Sequence, residues 1–158
     1  MKHVVVQSIS SIILYVLTAL SFGSLTTGVY QTLNHYHRDE VFIFQMNALP
    51  WIGLILFGIS WSIYSYKTRP NKNLSFWKWS VQMTEFSEVD EREQIITAKA
   101  TKAAYVSFSI SVPILMGSFM FYPLFEDALP TYPIYALAST LIIATLVYMT
   151  TWIRAYTR

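Results

Sequence analysis

The sequence predicts an all-α membrane protein with four transmembrane helices in two hairpins, and a cytoplasmic helical extension of the third helix. Three observations predict this fold. Of the 158 residues, 54% are hydrophobic. Only 13% are charged, whereas a soluble domain is usually about one quarter charged. Four apolar segments follow one another, each close to or above the roughly 20 residues that a helix needs to cross a bilayer. We therefore expect residues 1–158 to form a single membrane domain.

The first predicted span covers residues 4–30, which contain no acidic or basic side chain. This segment is long enough to cross a bilayer with some tilt. Because Lys2 precedes it, a secretory signal peptide is the competing interpretation. The uncharged run is longer than the apolar core of about 7–15 residues found in signals, and no small-residue cleavage site stands out. We expect the segment to be retained as a transmembrane helix.

The second predicted span covers residues 47–66. Pro50 suits the first turn of a helix, where its missing N–H costs nothing. Trp51 and Trp61 lie near the two ends, as aromatic side chains do at membrane interfaces. The basic segment 67–72 then ends the span and anchors it at the membrane surface.

The third predicted span, residues 103–122, continues a charged helix that begins near Ser87. Acidic residues fall in the first turn of that helix, where the macrodipole favours negative charge. The fourth span covers residues 134–153. A short proline-containing loop, residues 123–133, joins the two, so we expect the third and fourth spans to form an antiparallel hairpin.

The distribution of basic residues predicts the orientation. The loop of residues 67–102 contains seven Lys and Arg side chains, whereas the two loops on the other side, residues 31–46 and 123–133, contain only Arg38. Cytoplasmic loops carry the excess of Lys and Arg. We therefore predict a multi-pass plasma-membrane protein with the 67–102 loop and both termini in the cytoplasm.

The sequence argues against catalysis and coupled transport. No Asp, Glu, Lys, Arg or His lies between the ends of any predicted span, and such groups mark proton relays and ion pathways in membranes. There is no cysteine, and no base lies within the membrane to activate a serine. We predict no enzymatic activity and no cofactor. The net charge of +2 is too small to indicate nucleic-acid binding.

A metal site is a weak alternative in the first outer loop. His35 and His37 lie two residues apart beside Asp39 and Glu40. Alternate side chains of an extended segment share a face, so two ligands could converge, but a structural zinc site usually needs four. We expect an exposed polar loop and no metal.

Small residues recur at every fourth position of two spans: Ala19, Gly23 and Thr27 in the first, and Ala136, Thr140 and Ala144 in the fourth. Small side chains allow helix backbones to approach closely in a membrane. We expect these faces to pack helices together, within the bundle or in a homo-oligomer.

The charged start of the third helix is the candidate interaction site. In one interpretation the charges only keep the helix in water. In the other they form a docking surface for a protein partner, with two isoleucines as apolar contacts. Those isoleucines would be covered either by that partner or by residues 76–86. The predicted contacts are Glu88, Asp90, Glu91, Arg92, Glu93, Ile95 and Ile96.

This same stretch carries a resemblance. Asp90-Glu91-Arg92, followed by Ile95-Ile96 and then Lys99-Ala100 directly before an apolar span, resembles a motif in small multi-span membrane proteins of Gram-positive bacteria. Genes for such proteins often neighbour those of helix-turn-helix regulators or transporters. The resemblance covers about a tenth of the chain, and it implies a regulatory or accessory role.

These observations lead to one functional hypothesis and two alternatives. The hypothesis is a membrane protein, embedded in the bilayer, whose cytoplasmic loop docks a transcription regulator or a transporter subunit. The first alternative is a transport or export subunit, with a pathway lined by the hydroxyls of the first span. The second is an immunity protein that binds a membrane-active peptide through its outer loops.

Overall fold

A computed structural model describes residues 2–35, 47–68 and 91–157, and this part of the chain is all-α. The first two long helices are α1, Lys2–His35, and α2, Leu49–Lys67. They are followed by α3, Glu91–Phe119, and α4, Tyr132–Tyr156. A short 3-10 turn, Tyr122–Leu124, lies between α3 and α4.

The prediction of four long apolar helices is confirmed for these residues. Each of the four is long and apolar enough to cross a membrane. At about 1.5 Å per residue, α1 is about 50 Å long and exceeds the hydrocarbon core of about 30 Å. The third helix is continuous from the charged Glu91 through its apolar part. The predicted start of that helix near Ser87 lies outside the described residues.

The helices pack in the order α3, α4, α1, α2. Ile96, near the start of α3, packs against Trp152, near the end of α4. Phe119, at the end of α3, lies edge-to-face against Tyr132, at the start of α4, with ring centroids 6.2 Å apart. The two helices therefore run in opposite directions along their whole contact.

A buried hydrophobic cluster lies where the start of α1, the start of α3 and the end of α4 meet. It consists of Val4, Ile96, Ala100, Tyr148 and Trp152. We call this the core end of the bundle. Ala100 and Trp152 are completely buried there, so a small side chain on α3 accommodates a large one on α4.

The opposite end, the loop end, holds the connection between α3 and α4. Tyr122 stacks on Tyr132 with centroids 6.1 Å apart, and Phe125 meets Tyr132 edge-on at 5.1 Å. The Tyr122 hydroxyl donates a hydrogen bond of 3.0 Å to the carbonyl of Pro130. Aromatic packing thus closes the loop, and the Tyr30 hydroxyl joins it to α1 by donating to the Asp127 carboxylate.

Helix α2 lies at the edge of the bundle and contains no buried residue. It packs on α1, where Gly53 approaches Leu17, and Phe22 of α1 meets Trp51 edge-on with centroids 5.3 Å apart. Most of its surface faces away from the other described helices. Leu49 and Leu56 are 75% and 61% exposed, so an apolar surrounding is needed to cover this helix.

Candidate functional site

The first turns of α3 present one exposed face. An α-helix has 3.6 residues per turn, so residues three or four apart share a face. Glu91, Ile95, Lys99 and Lys102 have this spacing and are all exposed. We call these four residues the α3 face. Ile95 is 71% exposed within it, a large apolar side chain surrounded by charged ones.

The opposite side of the same turns is fixed inside the bundle. Ile96 is 6% exposed and Thr97 3%, and both lie at the core end. Ile96 packs in the cluster with Val4 of α1 and Trp152 of α4. Two neighbouring isoleucines therefore have opposite environments, because successive residues of a helix point about 100° apart.

A buried hydrogen bond fixes the contact between α3 and α4. The indole Nε1 of Trp152 donates to the Thr97 hydroxyl at 3.2 Å. The ring of Trp152 also stacks on that of Tyr156, with centroids 5.0 Å apart and planes 14° from parallel. The hydrogen bond gives the buried indole N–H the partner that burial requires.

Arg92 extends this contact to the last turn of α4. Its guanidinium donates a hydrogen bond of 3.3 Å to the backbone carbonyl of Tyr156 and lies 5.7 Å from the centre of the Tyr156 ring. A cation within about 6 Å of an aromatic ring is attracted to its face. The carbonyl belongs to the C-terminal end of α4, where the helix dipole also favours positive charge. Arg92 thus joins the start of α3 to the end of α4.

The structure shows the environment of two residues of the predicted docking surface. Ile96 was predicted to be an apolar contact for a partner, and it is 6% exposed, covered by α1 and α4. Arg92 is exposed and its guanidinium donates a hydrogen bond to the Tyr156 carbonyl, and its contact with a partner stays a prediction. Both side chains hold the helix in place. The exposed apolar contact is reduced to Ile95.

The two predicted acidic contacts that the structure describes lie on different sides of α3. Glu91 lies on the α3 face, whereas Glu93 is half-buried on the other side of the helix. Glu88 and Asp90 lie outside the described residues, as do His37, Asp39 and Glu40 of the metal alternative. Within the part of the chain that is described, no group of three or more His, Asp or Glu side chains could hold a metal ion.

The small residues of α1 and α4 lie on or beside the contact between these two helices. Ala19, Gly23 and Thr140 are buried. A Cβ atom at Gly23 would lie only 2.8 Å from the hydroxyl oxygen of Tyr135 on α4, so a larger residue there would displace the end of the Tyr135 side chain. Their neighbours in the pattern are half-buried: Thr27, Ala136 and Ala144.

The residues of α4 that hold α3 in place were not among those predicted from the sequence. Trp152 and Tyr156 are four residues apart at the end of the last apolar segment, beside Arg154. Aromatic residues at that position indicate a membrane interface. The spacing also places both rings on one helical face. This spacing was the feature of the sequence that indicated a joint contact with another helix.

Comparisons with known proteins place the chain only broadly. It is 36% identical over 110 residues to a Bacillus subtilis protein named as the uncharacterized lipoprotein YgaO. The matched region covers 68% of this chain and 65% of that protein, so the chain spans less than two thirds of its relative. No family model matches the sequence, and no solved structure matches it. Together with the four apolar helices, this likeness indicates a membrane-associated protein.

Proposed function

We propose that this chain is a non-enzymatic integral membrane protein that crosses the plasma membrane four times and docks a cytoplasmic protein on the α3 face. The observation that carries the proposal is the contrast between Ile95 and Ile96. One is 71% exposed and the other 6%, although both lie on the same well-fixed turn. Ile95, held on this turn beside Glu91, is the apolar contact that the proposed partner would cover.

The surface of the bundle supports insertion in a bilayer. Large apolar side chains point outward on the described helices, including Ile114 at 68% and Met116 at 65% exposure on α3. Soluble monomers rarely expose a continuous apolar surface of this kind. Spanning helices are the proposed means of membrane association.

The arrangement of the helix ends supports one orientation. The starts of α1 and α3 and the end of α4 meet at the core end. Basic side chains lie at this same end of the bundle: Lys67 at the end of α2, Lys99 and Lys102 near the start of α3, and Arg154 near the end of α4. Because Lys and Arg accumulate on the cytoplasmic side, we assign the core end to the cytoplasm and the loop end to the outside.

The α3 face defines the kind of partner. Glu91 is farthest from the predicted span, Ile95 follows one turn later, and Lys99 and Lys102 are nearest the membrane. The two lysines are placed to meet anionic lipid headgroups. A soluble partner therefore needs an apolar pocket for Ile95 and a basic side chain opposite Glu91. A small regulator or a transporter subunit with such a surface fits this description.

The test is a purification of the intact chain from its native membrane in mild detergent, followed by mass spectrometry. We compare the unchanged protein with Ile95→Glu and with Glu91→Lys. The matched control is Thr157→Glu, which adds the same charge as Ile95→Glu at an exposed position after α4.

We expect a stoichiometric cytoplasmic protein with the unchanged chain and with Thr157→Glu, and its loss with Ile95→Glu and Glu91→Lys. Recovery of the chain without a partner would refute docking. So would a partner that remains bound to both α3 variants. Transport or export, and immunity, stay predictions from the sequence.

A further inference from the structure

A polar cavity lies at the loop end between α1, α2 and α4. Its volume is about 600 Å³, within the range of about 300–1,000 Å³ for small-molecule sites. Gly23, Ser24 and Thr27 line it from α1, and Tyr135 lines it from α4. Gln31 and Asn47 lie at its rim and are exposed. This loop-end cavity is at the opposite end of the bundle from the α3 face.

The hydroxyls of α1 offer this cavity hydrogen-bond acceptors. Ser24 donates its proton to the carbonyl of Ser21 at 2.8 Å and lies 3.3 Å from a second acceptor, the Asn47 carbonyl, and Thr27 donates to the carbonyl of Gly23 at 3.0 Å. A hydroxyl has one proton and two lone pairs. Since each proton is engaged by a backbone carbonyl, the oxygen lone pairs remain for a ligand that donates.

Tyr135 and Asn47, on the other sides of the cavity, offer hydrogen-bond donors. Among the described residues the Tyr135 hydroxyl has no hydrogen-bond partner, and its oxygen lies against the backbone of Gly23. The Asn47 side-chain oxygen accepts from the N–H of Leu49 at 3.0 Å. This bond leaves the two N–H groups of the Asn47 amide for a ligand.

The described residues that line the cavity carry no charged side chain. These residues offer a charged ligand no counter-charge. A purely apolar ligand would displace water from the amides and the Tyr135 hydroxyl without replacing its hydrogen bonds. An uncharged ligand with many hydroxyl groups satisfies both the acceptors and the donors, and the Tyr135 ring offers a flat surface beside them.

We propose that the loop-end cavity binds an uncharged carbohydrate. The same chemistry is available from a free sugar in solution and from the sugar headgroup of a glycolipid in the membrane. The proposal does not depend on a partner at the α3 face, because the two sites use different residues at opposite ends of the bundle.

The test uses the full chain in phosphatidylglycerol nanodiscs. One arm adds methyl β-glucoside to the solution, and the other includes monoglucosyl diacylglycerol in the bilayer. Binding of the free glucoside is measured by calorimetry, and retention of the glycolipid by native mass spectrometry. Binding in the first arm assigns a soluble sugar, and binding in the second alone assigns a lipid headgroup.

Two variants and one control locate the site. Tyr135→Phe removes the hydroxyl and keeps the ring, so we expect affinity to fall about fivefold, as for one lost hydrogen bond. Gly23→Ala places a methyl group 2.8 Å from that hydroxyl and should displace Tyr135 with a similar or larger loss. Gly58→Ala is the control, because a Cβ there meets no atom within 4 Å.

The proposal is overturned if neither glucoside binds. It is equally overturned if Tyr135→Phe binds as tightly as the unchanged protein, even where Gly23→Ala fails to fold. Equal retention of glycolipid by Tyr135→Phe and Gly58→Ala would indicate general affinity for the membrane lipid. That result would also exclude the cavity as the binding site.

Discussion

Trp152 and Thr97 form a buried hydrogen bond of 3.2 Å between the end of α4 and the start of α3. The two residues are 55 positions apart in the chain, so the bond reports tertiary structure directly. Trp152 is completely buried and Thr97 is 3% exposed. The orientation of the α3 face depends on this contact, since it determines which side of α3 faces inward.

Removing the acceptor should destabilise the core end. Thr97→Val keeps the shape of the side chain but leaves the buried indole N–H without its partner. Such a loss costs about 1–3 kcal/mol. The measurement is unfolding of the purified protein in detergent. Thr101→Val is the control, because Thr101 is exposed on the same helix. Equal stability of the two variants would mean that the Trp152 bond contributes nothing.

The close packing at Ala100 gives a second prediction. This side chain is completely buried against the core-end cluster. Ala100→Leu adds volume where none is free, and overpacking costs about 1–3 kcal/mol. Ala98→Leu makes the same change at an exposed position of α3. We expect a lower midpoint of thermal unfolding for Ala100→Leu alone, and comparable midpoints would argue against this packing of α3 on α4.

The two isoleucines give a third prediction. The chain contains no cysteine, so a single introduced thiol is the only one that a maleimide can label. Cys at position 95 should be labelled rapidly in the detergent-solubilised protein. Ile96→Cys can react only when the core end opens locally, so we expect it to be labelled at least ~10-fold more slowly than Ile95→Cys. Similar rates for Ile95→Cys and Ile96→Cys would refute the assigned rotation of α3.

The sequence was sufficient to predict the long helices, because an apolar run of 20 or more residues has few other structures available in a membrane. Their ends were less predictable. The third span was expected to reach residue 122, but α3 ends at Phe119 and a 3-10 turn follows from Tyr122. Pro123 provides no N–H for a continuing helix, and the aromatic contacts of Tyr122 then shape the loop.

The candidate site was harder to predict, because it depends on contacts between distant segments. Ile95 and Ile96 are chemically identical, and only the position of Trp152 decides which one is buried. Arg92 belongs to a charged stretch of the sequence, yet its partner is the backbone of Tyr156, 64 positions later. The charge pattern therefore suggested one common surface for residues that lie on different faces of α3.

The orientation of the bundle is tested most directly by two-sided cysteine labelling in whole cells with a membrane-impermeant maleimide. It compares Thr157→Cys at the core end, outside the α3 face, with Glu126→Cys in the exposed loop between α3 and α4. We predict that Glu126→Cys is labelled in intact cells and that Thr157→Cys is labelled only after the membrane is permeabilised. Labelling of Thr157→Cys in intact cells would contradict a cytoplasmic core end and, with it, the proposed docking of a cytoplasmic protein on the α3 face.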